Sequence, residues 1–240
     1  MKRILPSALI LALAAACSNE PQQAGNYNVT LSDPAPGAPS PEDLATLKAA
    51  AEADPANAAA QEAYAAALLV GGKAGEALQR LEGLPPTPQR SRLSGDALVM
   101  SGRYRDAVRA FRAAGDFGDT PLRLTETLRL VGAGAIEGKR WREATAVYEE
   151  LRARGDRDPL VLNNLAYAYG ALKAYDQAIP FAREAVKQSP ESPAALDTLG
   201  WLLFESKRDE AEGRRLIAEA ARLSPQDAAI AAHARAAGIS

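Results

Sequence analysis

Two consecutive stretches, Pro159–Ser192 (PLVLNNLAYAYGALKAYDQAIPFAREAVKQSPES) and Pro193–Gln226 (PAALDTLGWLLFESKRDEAEGRRLIAEAARLSPQ), superimpose as text. At an offset of 34, Leu162 falls on Leu196, Leu165 on Leu199 and Ala166 on Gly200. One extra residue enters the second copy at its midpoint. Beyond it Ala178 falls on Gly213, Ala185 on Ala220 and Pro190 on Pro225. Backwards from the pair, residues 125–158 put Leu128, Val131, Gly132, Ala144, Tyr148 and Leu151 in the same slots. A fixed period in this range marks a stack of supersecondary units, each too poor in apolar surface to stand alone.

Two weaker copies precede these. Gly95, Ala107, Phe111 and Ala114 mark one at about 88–121, and Ala65, Ala77 and Leu81 a shortened one at about 58–87. Residues 122–124 read as a short slip between copies. Glu42–Ala53, closed by Asp54-Pro55, reads as a lone helix, and Gln226–Ala237 as a capping helix. The expected layout is an N-terminal helix at 41–54, an array over 55–226 and a cap at 227–240. Alanine dominates the 47% apolar content, and aromatics make up only 5%. Alanine is the best helix former but buries little area, so the chain should form many helices in close contact. Small residues at Ala166, Gly200, Ala178 and Ala185 let backbones approach, and Leu165, Tyr169 and Leu199 fill the remaining gaps. Gly102-Arg103-Tyr104, Gly138-Lys139-Arg140-Trp141 and Leu172-Lys173-Ala174-Tyr175 fit tight turns between paired helices.

This pattern resembles the tetratricopeptide repeat. In Pro159–Ser192 the family's slots for Leu, small residue and Tyr hold Leu165, Ala166 and Tyr169. Its later small residues are Ala178 and Ala185, and its terminal proline is Pro190. Its second-helix aromatic is missing, with Ala182 in that place. The resemblance covers about residues 41–237. It implies an all-α right-handed superhelical solenoid of about five helix-turn-helix repeats, whose concave face is lined by the first helix of each pair.

The N-terminus has a different texture. Met1-Lys2-Arg3 leads into an apolar run, Ile4 to Ala16, ending at Cys17, the only cysteine. A charged start, a short apolar stretch and small residues before the break form a secretory signal. Thirteen residues interrupted by Pro6 are too few to span a bilayer. Leu13-Ala14-Ala15-Ala16-Cys17 resembles a lipobox, although Ala14 stands where that family favours Leu. The resemblance implies a signal peptide at 1–16, lipidation at Cys17 and, with Ser18 rather than Asp next, an outer-membrane protein facing the periplasm. An ordinary cleaved leader with an incidental cysteine is the alternative. Several acyl chains together bind a membrane durably. Residues 17–40, with prolines at 21, 34, 36 and 39, read as a tether. At roughly 3 Å per residue it reaches at most about 70 Å.

Composition excludes some functions and the motifs exclude others. Without Lys2 and Arg3 the chain holds 26 basic and 30 acidic residues. A nucleic-acid partner, which calls for a clustered basic patch, is not expected. His233 is the sole histidine and has no Cys or His at ligand spacing, so no metal site is expected. Gly132–Gly138 reads G-x-G-x-x-x-G with no preceding strand, and Gly71-Gly72-Lys73-Ala74 lacks the rest of a P-loop. No cofactor and no catalysis are expected, although an accessory module of an envelope enzyme, or an enzyme with an unrecognised site, is the second reading.

By slot, the inward-facing residues are Arg92, Asp96, Val99, Arg129, Ala133, Asn163, Tyr167, Gly170, Asp197, Trp201 and Phe204. Asn164 stands where chaperone-binding relatives of the family place an Asn that holds a ligand's backbone. Ala194 and Thr198 stand where a carboxylate clamp would need basic residues, so that clamp is not expected. The groove set is therefore Arg129, Asn163, Asn164, Tyr167, Asp197 and Trp201, with the two asparagines expected to be exposed. Tyr167 and Trp201 suit either partner contact or inter-repeat core. The implied role is a membrane-anchored scaffold gripping a protein partner, as a peptide or helix, in an envelope secretion, pilus or polysaccharide-export machine.

Overall fold

The computed structural model describes residues 41–239. The expected leader, Cys17 and the tether lie outside that range. Among the described residues there are twelve helices and no strand. They are α1 (Pro41–Ala53), α2 (Ala58–Val70), α3 (Ala74–Leu81), α4 (Pro88–Met100), α5 (Tyr104–Ala114) and α6 (Thr120–Glu137), followed by α7 (Trp141–Ala153), α8 (Pro159–Ala171), α9 (Tyr175–Gln188), α10 (Pro193–Glu205), α11 (Glu210–Leu223) and α12 (Ala228–Ala236). No described helix is long and apolar enough to cross a membrane.

The helices pair as α2 with α3, α4 with α5, α6 with α7, α8 with α9 and α10 with α11. The first helices of neighbouring pairs also touch: α2 meets α4, α6 meets α8, α8 meets α10, and α10 meets α12. The backbones of the second helices stand farther apart, and ion pairs bridge them: Arg105 with Glu143 and Arg112 with Glu150 between α5 and α7, and Arg183 with Glu212 between α9 and α11. A stack that is tight along one row and open along the other curves toward the tight row. The first helices therefore line the inner face of an all-α superhelical solenoid.

The turn inside each pair is built the same way five times. Gly72, Gly102, Lys139, Lys173 and Lys207 each adopt positive φ, between 53° and 74°. The next residue's N–H reaches back to the last helical turn, as in Arg103 N to Leu98 O at 2.8 Å and Ala174 N to Tyr169 O at 2.9 Å. This is the Schellman closure, which satisfies carbonyls that the helix end would leave open. Glycine suits the position, yet lysine fills it in three repeats. At the opposite ends, Thr87, Asp158, Ser192 and Asp227 cap α4, α8, α10 and α12 with side-chain oxygens. Proline follows at the start of the first three, where its missing N–H costs nothing.

Inside each pair, one slot on the first helix faces one slot on the second, and their volumes are complementary. A Cβ on Gly95 would fall 2.4 Å from the Phe111 ring, and one on Gly132 would fall 2.8 Å from the Tyr148 ring. In the fourth pair the same slots hold Ala166 and Ala182, both fully buried. In the fifth they hold Gly200 and Ile217. The aromatic missing at Ala182 is thus balanced by a larger residue across the contact. Phe181, one position earlier, instead stacks on Tyr169 at 6.2 Å, and the Arg152 guanidinium lies over its ring at 4.8 Å.

The expected slip at 122–124 falls inside a helix. Those residues belong to α6, which at 18 residues is the longest described helix. Thr120 starts it with Pro121 next, and Thr120 and Leu124 are buried, so the segment extends the inner helix by more than a turn. Next to this extension α4 and α6 make little direct contact, and ion pairs span the gap.

Candidate functional site

The inner face has an ionic half and an aromatic half. In the first, Arg92 and Asp96 of α4 meet Arg123 and Asp119 from α6 and its N-terminal cap. Arg123 pairs with Asp96 at 2.9 Å and with Asp119 at 2.8 Å, and Arg92 pairs with Asp96 at 3.0 Å. Burial pushes the Asp96 carboxyl up to about 6, against the pull of the two guanidiniums. Val99 is buried in the core beneath this network.

Arg129, expected to be a partner-binding residue, is engaged within the chain. It pairs with Asp156 at 2.7 Å and with Asp158 at 3.4 Å. Asp156 is almost wholly buried and accepts the Asp158 N–H, while Asp158 caps α8. Arg129 therefore ties α6 to the start of the next pair and fixes where the aromatic half begins.

The two asparagines are not exposed, which corrects the reading from sequence. Asn163 is 2% exposed and Asn164 is 0%. Asn164 turns into the core and donates its amide to the Tyr148 hydroxyl at 3.0 Å. Its inward direction follows from the helical step: it lies about 100° around α8 from Asn163. Asn163 stays on the α8 stripe that carries Tyr167, beneath the surface. Neither polar atom of its amide has a hydrogen-bond partner.

Tyr167 and Trp201 are both half-buried, so each packs and still shows a face. Tyr167 receives the Trp141 ring edge-on at 5.7 Å. Trp201 is stacked by the His233 imidazole, with centroids 4.2 Å apart and planes within 10°. His233 Nδ1 lies 2.8 Å from Oδ2 of Asp197, which is fully buried. Asp197 is thus no free groove residue, because it anchors the terminal helix α12 to α10. Phe204 turns from the groove toward α11 and α12, with Arg214 over its ring. Gly170 lets α10 close in, since a Cβ there would fall 2.5 Å from Leu202.

These residues enclose a cavity of about 200 Å³ between α8, α10 and α12. Tyr167, Trp201, His233, Thr198 and Leu202 line it, with Lys173 and Glu205 toward solvent. Tyr167 and Trp201, expected at inward-facing slots, both line it, and His233 is a wall that the sequence did not single out. Asp197 was the available signal: a lone acid in the apolar stretch Ala194–Phe204 needs a partner. Among the described residues no cluster of acidic, His or Cys side chains could hold a metal.

No family model matches the sequence, and no curated protein matches it either. Solved structures do match. YrrB, described as a TPR protein with an unusual peptide-binding site, aligns with 80% of this chain and 99% of its own, at TM-score 0.54 and 15% identity. The C-terminal part of a TPR repeat-containing protein from Cytophaga hutchinsonii covers 77% of this chain and 74% of its own, at TM-score 0.52 and 13% identity. With five Schellman-closed helix pairs, small residues at the close contacts and an inner row of first helices, the chain has the tetratricopeptide-repeat fold.

Proposed function

We propose that this chain is a non-catalytic scaffold that holds a protein partner, as a peptide or a helix, against its inner face. The carrying observation is the open aromatic cavity at α8, α10 and α12, beside which the arginines of the inner face are engaged in ion pairs within the chain. Half-buried Tyr and Trp present rigid area at low entropic cost, and such residues dominate binding energy. YrrB, which shares the fold, has a peptide-binding site, and that use of the fold suits this cavity. The test is a pull-down from crosslinked cells comparing wild type with the Tyr167→Ala/Trp201→Ala double variant. Loss of a specific partner from a folded double variant supports the proposal, and retention of every partner removes the groove from the account.

The reading extends to the cell envelope through the sequence. A charged start, an apolar run and Cys17 fit a lipid anchor, and Ser18 fits the outer membrane. A tethered groove would then serve an envelope secretion, pilus or polysaccharide-export assembly. Changing Cys17 to Ser should release the chain into the soluble periplasmic fraction. A variant that still pellets with membranes, beside a wild type without acyl mass, contradicts the anchor.

A further inference from the structure

The joint between the second and third pairs is built differently from its neighbours. Here α4 and α6 make little direct contact, whereas α2 meets α4 and α6 meets α8. A cavity of about 370 Å³ opens at this joint. Its walls are the α4–α5 turn with the start of α5, the C-terminal half of α6, and Arg140 from the turn after α6. Gly134 of α6 is part of this lining. A Cβ added there would meet nothing within 4 Å, although Gly95, Gly132, Gly170, Gly200 and Gly213 each make room for a close neighbour. Glycine weakens a helix relative to alanine, and no packing within the chain offsets that at Gly134. One period later Ala168 stands in the same slot and is fully buried. The next joint is therefore closed where this one is open.

The cavity also carries more cations than the chain neutralises. Asp106 is shared by Arg103 and Arg109, at 2.6 and 2.5 Å, and Glu143 by Arg105 and Arg140, both at 2.7 Å. This network sets four guanidiniums against two carboxylates, in a chain whose net charge is −2. Arg103 and Arg105 direct Nε and Nη2 at these acids, and Arg140 directs Nε at Glu143 and Nη2 at Gly134 O. In all three, Nη1 donates to nothing among the described residues. All three side chains are roughly half exposed and line the cavity, so an acceptor can reach them.

We propose that this cavity is a docking subsite for an acidic segment of the partner, with a carboxylate pairing with the open edges of Arg103, Arg105 and Arg140. An aliphatic side chain next to that carboxylate then rests over Leu130 and Val131, in the space that Gly134 leaves clear. This subsite rests on the scaffold reading and gives the partner's chemistry at one point. The surplus of guanidinium selects an anion, and the planar fork of N–H donors matches a carboxylate. The cavity is larger than one oxyanion fills, and its Leu130–Val131 floor suits a peptide over bare phosphate. A nucleic acid would call for a longer basic surface than four arginines partly neutralised by two acids.

The probes are acetyl-Glu-Leu-Glu-amide, its Gln-Leu-Gln analogue and inorganic phosphate, titrated into the isotopically labelled full chain and followed by NMR. The expected result is perturbation at Gly134 and at the Arg103, Arg105 and Arg140 side chains. The acidic peptide should bind about tenfold tighter than its amide analogue, the ratio one charge-assisted hydrogen bond supplies, and added salt should erode the difference. Gly134→Leu fills the cavity without meeting the chain, so it should fold and lose the acidic peptide. Arg140→Gln should narrow the preference for the acidic peptide. Equal binding of the two peptides to wild type overturns the proposal without reference to any variant. So do undiminished binding in a folded Gly134→Leu, perturbations confined to other helices, or phosphate binding as tightly as the acidic peptide. If the acidic peptide fails while the Tyr167→Ala/Trp201→Ala variant still loses its partner, only the acidic subsite falls. If the peptide binds as expected and the double variant keeps every partner, the aromatic groove leaves the account and the acidic subsite stands.

Discussion

Gly213 and Gly200 show how closely this chain depends on single atoms. A Cβ on Gly213 would sit 2.7 Å from Gly200 O and 2.8 Å from Phe204 N, so it meets backbone that cannot rotate away. On Gly132 it would meet the Tyr148 ring, which can shift slightly. Gly213→Ala should therefore cost more than Gly132→Ala, with both on the order of 1–3 kcal/mol. Thermal melts of the two variants check the order. Asp96 makes a second prediction at this scale. Burial holds its pKa at about 6, above the ordinary carboxyl value of 3.8. The group's contribution to stability is then complete below about pH 3.8 and is lost as pH rises through about 6. A carboxyl-carbon NMR titration should show the Asp96 midpoint near 6. A midpoint near 4 would mean that the two arginines outweigh burial. Residue identities in the small slots were legible in the sequence because a period of 34 exposes them. The burial of Asn163 and Asn164 was not, because the slots give the helix face but not the depth beneath Tyr167.

Single helices and turns were mostly legible, for a local reason. Proline at the first turn, a capping oxygen before it and a glycine after the end leave a signature within a few residues. The turns at Lys139 and Lys173 were read as turns, but the positive φ at Lys139, Lys173 and Lys207 was not, because lysine carries no mark of it. The cost of that conformation for a residue with a Cβ predicts opposite signs for two substitutions. Gly102→Ala should destabilise by about 1 kcal/mol. Lys173→Gly should be neutral or stabilising by up to about 0.5 kcal/mol, because relief of strain is partly offset by the freer unfolded chain. Chemical denaturation of both variants checks the signs. The register of the fourth pair has its own check. Ala178 is fully buried and Lys187 is exposed. Ala178→Leu should cost on the order of 1–3 kcal/mol, and Lys187→Leu under about 0.5 kcal/mol. Equal shifts in melting temperature would contradict the register. Three residues out of phase with the repeat were legible as a slip at 122–124, but their place inside α6 was not, because the period shows an insertion and not its conformation.

For the whole molecule, each pair buries apolar surface both within itself and against its neighbours, so stability is distributed along the stack. The core clusters follow that logic: one runs from Leu98 to Ala168 and another from Ala166 to Ile230, each crossing several pairs. The inner face that results is ionic toward the N-terminal end and aromatic toward the C-terminal end. The tie between His233 and Asp197 joins residues 36 apart in sequence. Such a link lies beyond the repeat period and could not be read from it. The central claim is that a partner lies against the inner face. A photo-crosslinking residue placed at Ala171, exposed at the cavity, and another at Lys187, exposed on α9, test it most directly in cells. The account predicts that light traps one defined partner at Ala171, that the trap is lost with Tyr167→Ala/Trp201→Ala, and that nothing comparable forms at Lys187. A defined partner trapped at Lys187 but not at Ala171 would contradict it.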